Sequence, residues 1–198
     1  PSVKTAPAES LGGTPAPLIR GHTWRRWSGH AAASAYDWTH EHEYAAIRNA
    51  AALLDVSPLH KYRISGRDAT RLLDRVVTRN VAKAAIGQVL YTGWCDAAGK
   101  LIDDGTISRL GEQEYRLTSA EPNLRWLHRN AFGLQVAIEE VSQALGALAL
   151  QGPLSRAVLN AVAERPVDGL KYFRVMDNRI AGTVILVSRT GYTGVLGY

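Results

Sequence analysis

The sequence predicts an α+β fold in which antiparallel sheets carry flanking helices. Between Gly87 and Ser119, short runs of alternating apolar and polar residues follow one another across turn signals, which is typical of antiparallel hairpins. A stretch before these runs has the three-to-four residue spacing of an amphipathic helix, and a stretch after them opens with a proline that is typical of a helix start. Residues 61–140 therefore have the order strand, helix, hairpin strands, helix and strand, which is the ferredoxin-like order with an extra strand.

The composition is that of a globular protein with one large domain or two small ones. The chain has 198 residues, of which 46% are hydrophobic and 21% are charged. It has neither the apolar run of ~20 residues that a membrane span needs nor the apolar core of a secretory signal, so we expect a cytoplasmic protein. A single cysteine, Cys95, excludes an internal disulfide. The net charge of +5 and the pI near 9.5 favour an anionic partner, which leaves nucleic acid, anionic lipid and a polyanionic cofactor open.

Residues 1–40 are expected to form an irregular N-terminal arm, because Pro, Ala, Gly and Ser dominate its first half. The segment WRRW (24–27) contains paired Trp and Arg residues that suit stacking on bases and phosphate binding, but a packed arm is the favoured interpretation. A helix is then expected to begin near Glu41 and to end at the turn formers of DVSP. Its apolar face would contain Tyr44, Ile47, Ala51 and Leu54.

Strands and helices alternate in the next segment. The run KYRIS predicts a strand with Tyr62 and Ile64 on its buried face. Asp68 is expected to cap a helix, and the apolar stripe of that helix would be Ala69, Leu72, Leu73 and Val76. Further strands are expected at residues 88–95, 99–110, 115–119 and 134–140, and a second helix is expected to open at Pro122 and to close at Gly133.

The C-terminal part predicts a second, β-rich unit. The run ALALQG (147–152) is typical of a buried strand, and Pro153 would open an amphipathic helix. Residues 171–189 predict a hairpin that turns at Asp177 and Asn178. We therefore expect one domain made of residues 41–60 and 141–198, wrapped around an inserted domain of residues 61–140.

The usual signatures of nucleotide and hydrolase chemistry are missing. The sequence has no GxxxxGK[ST], GxGxxG, HExxH or GxSxG motif. His40 and His42 flank Glu41, but their spacing matches no standard set of metal ligands, so exposed histidines at a helix start are the favoured interpretation. We expect no metal site.

Two adjacent acids, Asp103 and Asp104, lie within the strand expected at residues 99–110. Side chains alternate along a strand, so Asp103 shares a face with Ile107 and Asp104 shares the other face with Thr106. An acid that faces a core or a cleft must be paired, hydrogen-bonded or protonated, and such surroundings suit general acid or base work. A solvated edge strand carrying both acids is the alternative, and the spacing leaves the two interpretations open.

The segment SRTGYTGVLGY (188–198) is rich in glycine and contains Tyr192 and Tyr198. Such a segment suits a tight loop in which the backbone approaches a flat ligand and an aromatic ring stacks on it. A plain glycine-rich hairpin is the alternative. Because a domain seldom ends inside a motif of this kind, we expect the natural protein to continue beyond Tyr198.

Five segments in order resemble the glycine cleavage T-protein family of folate-binding aminomethyltransferases. They are EYAAIRNAAALLDVS (43–57), GQVLYT (87–92), GKLIDD (99–104), LALQGP (148–153) and SRTGYTG (188–194). The resemblance implies a multi-domain α+β protein around a central folate site. In this arrangement residues 41–60 and 141–198 form the first folate-binding domain, residues 61–140 form the inserted ferredoxin-like domain, and a C-terminal barrel domain is missing from this chain.

The resemblance also implies the site. Asp104 corresponds to the acid that lies near the reactive nitrogens of the pterin in T-proteins, so it is the expected catalytic residue and also binds the cofactor. Tyr91 and Tyr192 resemble folate-pocket residues, and Ser119 stands where the family has an asparagine. Tetrahydrofolate is the implied cofactor, and a small-molecule one-carbon donor is the implied substrate. A lipoyl carrier protein is an open partner, whereas neither nucleic acid nor a membrane is implied.

Some residues differ from the family pattern and leave the carbon donor open. T-proteins usually have DVSHMG where this chain has DVSPLHKY (55–62), and Val195 replaces an acid that is common after GYTG. Aminomethyl transfer is the default expectation, and a tetrahydrofolate-dependent demethylase acting on a small methylated or methoxylated substrate is the alternative. A non-catalytic folate-binding protein and a nucleic-acid-binding module are two further hypotheses. The first lacks its cysteine signature here, and the second depends on the net charge and WRRW alone.

Overall fold

The computed structural model of the chain describes residues 24–35 and 39–198. The strands are β1 (Trp24–Trp27), β2 (His30–Ala33), β3 (Ala52–Asp55), β4 (His60–Ser65), β5 (Val89–Cys95), β6 (Leu101–Gly111), β7 (Glu114–Ser119), β8 (Ala137–Glu140), β9 (Leu148–Gln151), β10 (Val175–Ile180) and β11 (Thr183–Ser188). The helices are α1 (His40–Asn49), α2 (Ala69–Val76), α3 (Leu124–Asn130) and α4 (Ser155–Val162), and a short 3-10 helix covers Val81–Lys83. The pairs β1–β2, β3–β9, β4–β7, β4–β8, β5–β6 and β6–β7 are antiparallel, so the predicted α+β class with antiparallel sheets is confirmed.

The chain divides into two compact units. Within the described residues, the first unit consists of the chain up to Pro58 together with Gly146–Tyr172 and Asp177–Tyr198, and the second consists of Leu59–Leu145 and Phe173–Met176. Among the helices of the described residues, none is long and apolar enough to cross a membrane.

The second unit is built on a five-stranded sheet with the strand order β5-β6-β7-β4-β8. The order along the chain, β4, α2, β5, β6, β7, α3 and β8, is the ferredoxin-like order with an extra strand. One face of the sheet packs against α2 and α3. The large side chains of this core that lie below 2% exposure include Tyr62, Ile64, Trp94, Ile107, Tyr115, Leu117 and Leu127.

Helix α2 follows its predicted pattern, because all four residues of the apolar stripe are buried. Asp68 occupies the expected N-cap position, but its side chain caps nothing in this helix. Its Oδ2 instead accepts a hydrogen bond of 2.8 Å from the backbone N–H of Gln135. The carboxylate therefore ties the start of α2 to the segment that leads into β8.

The β5–β6–β7 meander is fixed by its turns and by one glycine. Asp96 Oδ1 accepts hydrogen bonds of 2.9 Å from the N–H groups of Ala98 and Lys100, and Gly99 supplies the positive φ of 78° that closes the first turn. Gly105 lies where β6 approaches β7 so closely that a Cβ atom would overlap the carbonyl oxygen of Thr118. Only glycine fits there without a shift of the backbone.

Helix α3 begins at Leu124, two residues later than the prediction from Pro122, because Asn123 precedes it with non-helical ψ and a side chain engaged elsewhere. Strand β8 is likewise shorter than the predicted strand and begins at Ala137. Leu134 and Val136 still pack against the core, as their alternation predicts.

The first unit contains a two-stranded pairing of β3 with β9, which the chain end extends. Leu150 and Tyr198 exchange backbone hydrogen bonds of 3.0 and 2.9 Å, and Gly152 donates to the carbonyl of Leu196 at 2.8 Å. The predicted helix was expected to run as far as Leu54, but α1 ends at Asn49, so this part of the prediction is wrong. Pairing with β9 draws the following residues into an extended strand.

Two further differences concern the hairpins of the first unit. Within the range expected to be irregular, β1 and β2 pair from Trp24↔Ala33 to Trp27↔His30. The expectation for residues 1–23 and 36–38 lies outside the described residues. The β10–β11 hairpin turns at Ala181 and Gly182, both with positive φ, and not at Asp177 and Asn178 as predicted. Asn178 is buried, and its side chain forms two hydrogen bonds of 2.8 and 3.0 Å with the backbone of Arg165, which offset the cost of burying the amide.

Candidate functional site

Strand β6 separates its two adjacent acids onto opposite faces of the sheet. Asp103 pairs in register with Trp94, and Asp104 pairs with Gly93. Asp103 is 8% exposed and lies on the face that packs against the helices, together with Ile107. Asp104 is half-buried on the other face. The alternation predicted from the sequence thus places the two carboxylates in different surroundings.

The side chains of Tyr91 and Asp104 meet on the face away from the helices. The Tyr91 hydroxyl donates a hydrogen bond to Asp104 Oδ2. Tyr91 lies two residues along β5 from Gly93, the partner of Asp104, so the contact is diagonal, and Gly93 places no side chain opposite Asp104. Tyr91 is 55% exposed. This Tyr91–Asp104 pair offers a ligand an aromatic ring, a phenol and a carboxylate that can accept N–H hydrogen bonds or a proton.

Asp103 is a buried carboxylate whose charge is met by backbone and side-chain donors. Its Oδ1 accepts from the N–H of Asp104 at 2.8 Å. Its Oδ2 accepts from the N–H of Glu121 at 3.1 Å and from Nδ2 of Asn123 at 2.7 Å. Charge-assisted bonds of this kind offset the cost of burying a carboxylate. Asp103 therefore holds the segment before α3 against β6.

Asn123 is the centre of this buried network. Its Oδ1 accepts from Trp94 Nε1 at 3.0 Å, and its backbone N–H donates to the Tyr62 hydroxyl at 2.7 Å. Asn123 is 3% exposed. Burial raises the pKa of Tyr62 above its ordinary value, although the hydrogen bond from Asn123 acts in the opposite direction. The phenol therefore stays neutral and serves as an acceptor.

Ser119 belongs to the same buried network. It is 3% exposed, its hydroxyl donates to the carbonyl of Glu121 at 3.0 Å, and it accepts from Asn123 Nδ2 at 3.3 Å. Its side chain lies on the helix-covered face with Leu117, not on the face of the Tyr91–Asp104 pair. The structure thus brings together Tyr91 and Asp104 of the predicted residues, and it separates Ser119 from them.

Tyr192 lies in the first unit, where a buried glutamine organises its loop. Gln151 is 3% exposed, and its Oε1 accepts from the Thr193 hydroxyl at 2.9 Å. At Gly197 a Cβ atom would overlap the Gln151 amide, so the glycine-rich loop wraps this side chain. The Tyr192 side chain itself is fully exposed. Two of the motifs singled out in the sequence, LALQGP and SRTGYTG, therefore meet through a hydrogen bond.

The sequence did not indicate Asn123, Trp94 or Tyr62 as parts of a polar network. Trp94 and Tyr62 fit the apolar face of their strands, and Asn123 follows a proline that suggested a helix start. An asparagine at that position is a weak signal of capping or side-chain bonding. Only the tertiary structure shows that it faces a carboxylate.

On one face of an α+β fold, the structure thus places an accessible carboxylate beside a phenol, a combination with the chemistry to receive a small polar, partly aromatic ligand. Comparison with known sequences gives the family. The profile of the GCVT N-terminal domain family matches residues 15–198, and the chain belongs to that family. The resemblance to glycine cleavage T-proteins stated from the motifs is thereby confirmed.

Curated relatives share the name of one activity. The chain is 38% identical over 161 residues to an aminomethyltransferase of Halalkalibacterium halodurans and 37% identical over 161 residues to one of Bacillus subtilis. Each match covers 79% of this chain and 44% of the relative, so the chain spans less than half the length of these proteins. It is also 36% identical over 167 residues to a trimethylamine-oxide aldolase of Ruegeria pomeroyi, covering 79% of this chain and 21% of that protein.

Solved structures share the fold. The crystal structure of the glycine cleavage system aminomethyltransferase T from Bartonella henselae matches with a TM-score of 0.76 at 24% identity, over 89% of this chain and 48% of that chain. The heterotetrameric sarcosine oxidase from Corynebacterium sp. U-96 matches with a TM-score of 0.55 at 20% identity, over 84% of this chain and 82% of that chain. These likenesses concern the architecture alone.

Proposed function

We propose that the protein is a tetrahydrofolate-dependent one-carbon transferase of the aminomethyltransferase type. Family membership and the names of the curated relatives support this function. The observation that carries it is the Tyr91–Asp104 pair, because it places a carboxylate beside an exposed aromatic ring on one sheet face. When bound, tetrahydrofolate supplies an amine that takes up the one-carbon unit.

The residues of this chain fit such a ligand chemically. Asp104 would accept a hydrogen bond or a proton from the folate amine while the amine bonds to the carbon and the bond between that carbon and its donor breaks, the electron pair leaving with the donor. Tyr91 donates to Asp104 and so fixes the direction of the carboxylate, and its ring offers a stacking surface. Tyr192, fully exposed in the first unit, is proposed as a second aromatic contact of the cofactor. Ser119 would contribute to cofactor binding only indirectly, since its side chain is buried on the helix-covered face of the sheet.

The domain assignment and the partners belong to the same proposal. Residues 41–60 with 141–198 would form the first folate-binding domain, and residues 61–140 the inserted domain. A small-molecule carbon donor is required, and a lipoyl carrier protein is the macromolecular partner that aminomethyl transfer would need. The cytoplasm is the proposed location.

A second candidate function is demethylation of a small methylated amine. It is favoured by the similarity to a protein named for trimethylamine oxide and by the altered segment at the start of the second unit. In that segment Lys61 is 3% exposed, and its Nζ donates to the carbonyl of Leu59 at 2.7 Å. His60 Nδ1 lies 3.2 Å from Glu140 Oε1. These side chains give the segment a polarity different from that of the usual family sequence.

The test is thermal denaturation of the full-length protein with tetrahydrofolate. A ligand that binds only the native state at a hundred times its Kd adds about 2.7 kcal/mol to the free energy of unfolding, so the melting temperature should rise by several degrees. No rise at saturating tetrahydrofolate would remove the folate proposal.

The carbon donor is then identified by turnover. Aminomethylated lipoyl carrier protein and a methylated amine are supplied in separate reactions with tetrahydrofolate, and the product that forms selects between the two candidates. Folate binding without turnover of either donor would point to the non-catalytic hypothesis. Retention on heparin that persists at high salt, without a folate effect, would instead favour nucleic acid.

A further inference from the structure

Asn123 is held in place by hydrogen bonds other than the one that it donates to Asp103. Its backbone N–H donates to Tyr62 at 2.7 Å, its Oδ1 accepts from Trp94 at 3.0 Å, and its Nδ2 donates to the carbonyl of Glu121 at 2.9 Å. Asn123 is 3% exposed, so water does not compete for these bonds. The amide is therefore held in one orientation.

The held amide is coupled to the strand that carries the proposed catalytic acid. Asn123 Nδ2 donates to Asp103 Oδ2 at 2.7 Å, and Asp103 Oδ1 accepts the backbone N–H of Asp104 at 2.8 Å. This chain of bonds runs from the helix-covered face of the sheet to the backbone at Asp104. The side chain of Asp104 leaves that backbone toward Tyr91 on the opposite face.

We propose that Asn123 is a positioning residue that acts through Asp103 to orient Asp104 toward Tyr91. The effect on turnover rests on the proposed function, whereas the effect on the geometry of the Tyr91–Asp104 pair does not. A displacement of catalytic groups by about 1 Å can lower the rate about a hundredfold. We therefore expect kcat to fall when Asp103 is no longer held in place. Asn123 itself touches no reacting atom.

A residue that only stabilised the fold would leave the Tyr91–Asp104 pair unchanged in the molecules that stay folded. The pair can be observed directly in the full-length protein labelled with 13Cζ-tyrosine, because the phenol carbon responds to the hydrogen bond of its hydroxyl. Tyr91→Phe assigns the resonance, and Asp104→Asn defines its position when the carboxylate partner is lost.

The experiment compares Asn123→Ala and Asn123→Ser with Asn130→Ala, all below their melting temperatures. Serine is a favoured residue before a helix, so the second variant keeps the test available if alanine prevents folding. Asn130 is the matched control, because its Nδ2 donates to the carbonyl of Trp126 at 2.8 Å within the same helix and has no bond to Asp103. Turnover is expressed per folate site, counted by titration.

We expect both Asn123 variants to move the Tyr91 resonance toward its position in Asp104→Asn and to lower kcat per site about tenfold to a hundredfold, with KM for tetrahydrofolate within about twofold. Asn130→Ala should do neither. A Tyr91 resonance at the wild-type position in the folded Asn123 variants would overturn the inference, and so would a shifted resonance with unchanged kcat. If the wild-type protein binds no tetrahydrofolate, the proposed function fails, and the resonance alone still decides whether Asn123 orients the pair.

Discussion

Asp103 and Asp104 are neighbours in β6, and the two faces of the sheet give them different surroundings. Asp103 lies on the helix-covered face, 8% exposed, and accepts three N–H hydrogen bonds. Asp104 lies on the opposite face, half-buried, and is paired with the hydroxyl of Tyr91. A carboxylate saturated by fixed donors holds structure, whereas one beside an accessible phenol can respond to a ligand. The difference supports the proposal that Asp103 stabilises the fold and that Asp104 takes part in the chemistry.

The largest effects are expected when each of the two acids is replaced by its neutral amide. Asp104→Asn should lower kcat about a hundredfold or more, because the amide cannot accept a proton, and should leave the melting temperature unchanged. Asp103→Asn should lower the free energy of unfolding by roughly 1–3 kcal/mol, because an amide group would face N–H donors. Because Asp103 positions Asp104, this variant should also lower kcat, by about tenfold and so less than Asp104→Asn. Steady-state kinetics and thermal denaturation of both variants provide the check, and equal effects on kcat would contradict the assignment.

The close approach of β6 and β7 is tested by a substitution at Gly105. A Cβ atom there would overlap the Thr118 carbonyl oxygen, so Gly105→Ala should lower the free energy of unfolding by roughly 3 kcal/mol. Gly169→Ala is the matched control, since a Cβ atom at that position has open space around it. Urea denaturation of both variants measures the difference. A Gly105 variant as stable as the Gly169 variant would mean that β6 and β7 are not so close.

The helix-covered face can be weakened without touching a carboxylate. Tyr62→Phe removes the acceptor for the buried N–H of Asn123 and should lower the free energy of unfolding by about 2 kcal/mol at pH 8. The pKa of Tyr62 is raised above 10.0 in the folded state, so as the pH rises above 10 the unfolded chain ionises first and the wild-type protein loses stability. The difference between wild type and Tyr62→Phe should therefore narrow in that range. Urea denaturation of both proteins at pH 8 and at a pH above 10 measures this difference in the free energy of unfolding. A difference that stays constant would contradict the raised pKa of Tyr62.

The smallest effect is expected at the phenol of the accessible face. Tyr91→Phe keeps the ring but removes the hydroxyl that bonds Asp104, and kcat should fall about tenfold, which corresponds to about 1.4 kcal/mol. The melting temperature should stay constant, because Tyr91 is exposed. Tyr44→Phe is a matched control, since that tyrosine is also exposed and lies in α1. Equal kinetics of the two variants would remove the role of the Tyr91 hydroxyl.

Periodicity predicted the parts of the fold that depend on one buried face. The stripe of α2 and the alternation of Asp103 and Asp104 follow from side-chain geometry alone, and both are confirmed. The predicted end of α1 was wrong because the apolar pattern of residues 50–54 fits a helix and a strand equally well. Pairing with β9, almost a hundred residues away along the chain, decides between them.

The network around Asn123 could not be predicted for a different reason. Its hydrogen bonds join β4, β5, β6 and the start of α3, so they depend on how distant segments pack. Ser119 could not be placed from the sequence either. Its correspondence to a family asparagine suggested a cofactor contact, whereas the alternation of side chains along β7 places it on the helix-covered face. Residue type and spacing identify candidates, and the face of the sheet decides their roles.

The central claim is that the Tyr91–Asp104 face of the sheet receives tetrahydrofolate. The most direct test is a titration of the full-length 13Cζ-tyrosine protein with tetrahydrofolate, followed at Tyr91 and at Tyr115, which is fully buried on the helix-covered face. We predict that the Tyr91 resonance moves and saturates with the ligand while the Tyr115 resonance stays in place. A Tyr91 resonance that does not move at saturating tetrahydrofolate, or one that moves no more than that of Tyr115, would contradict the claim.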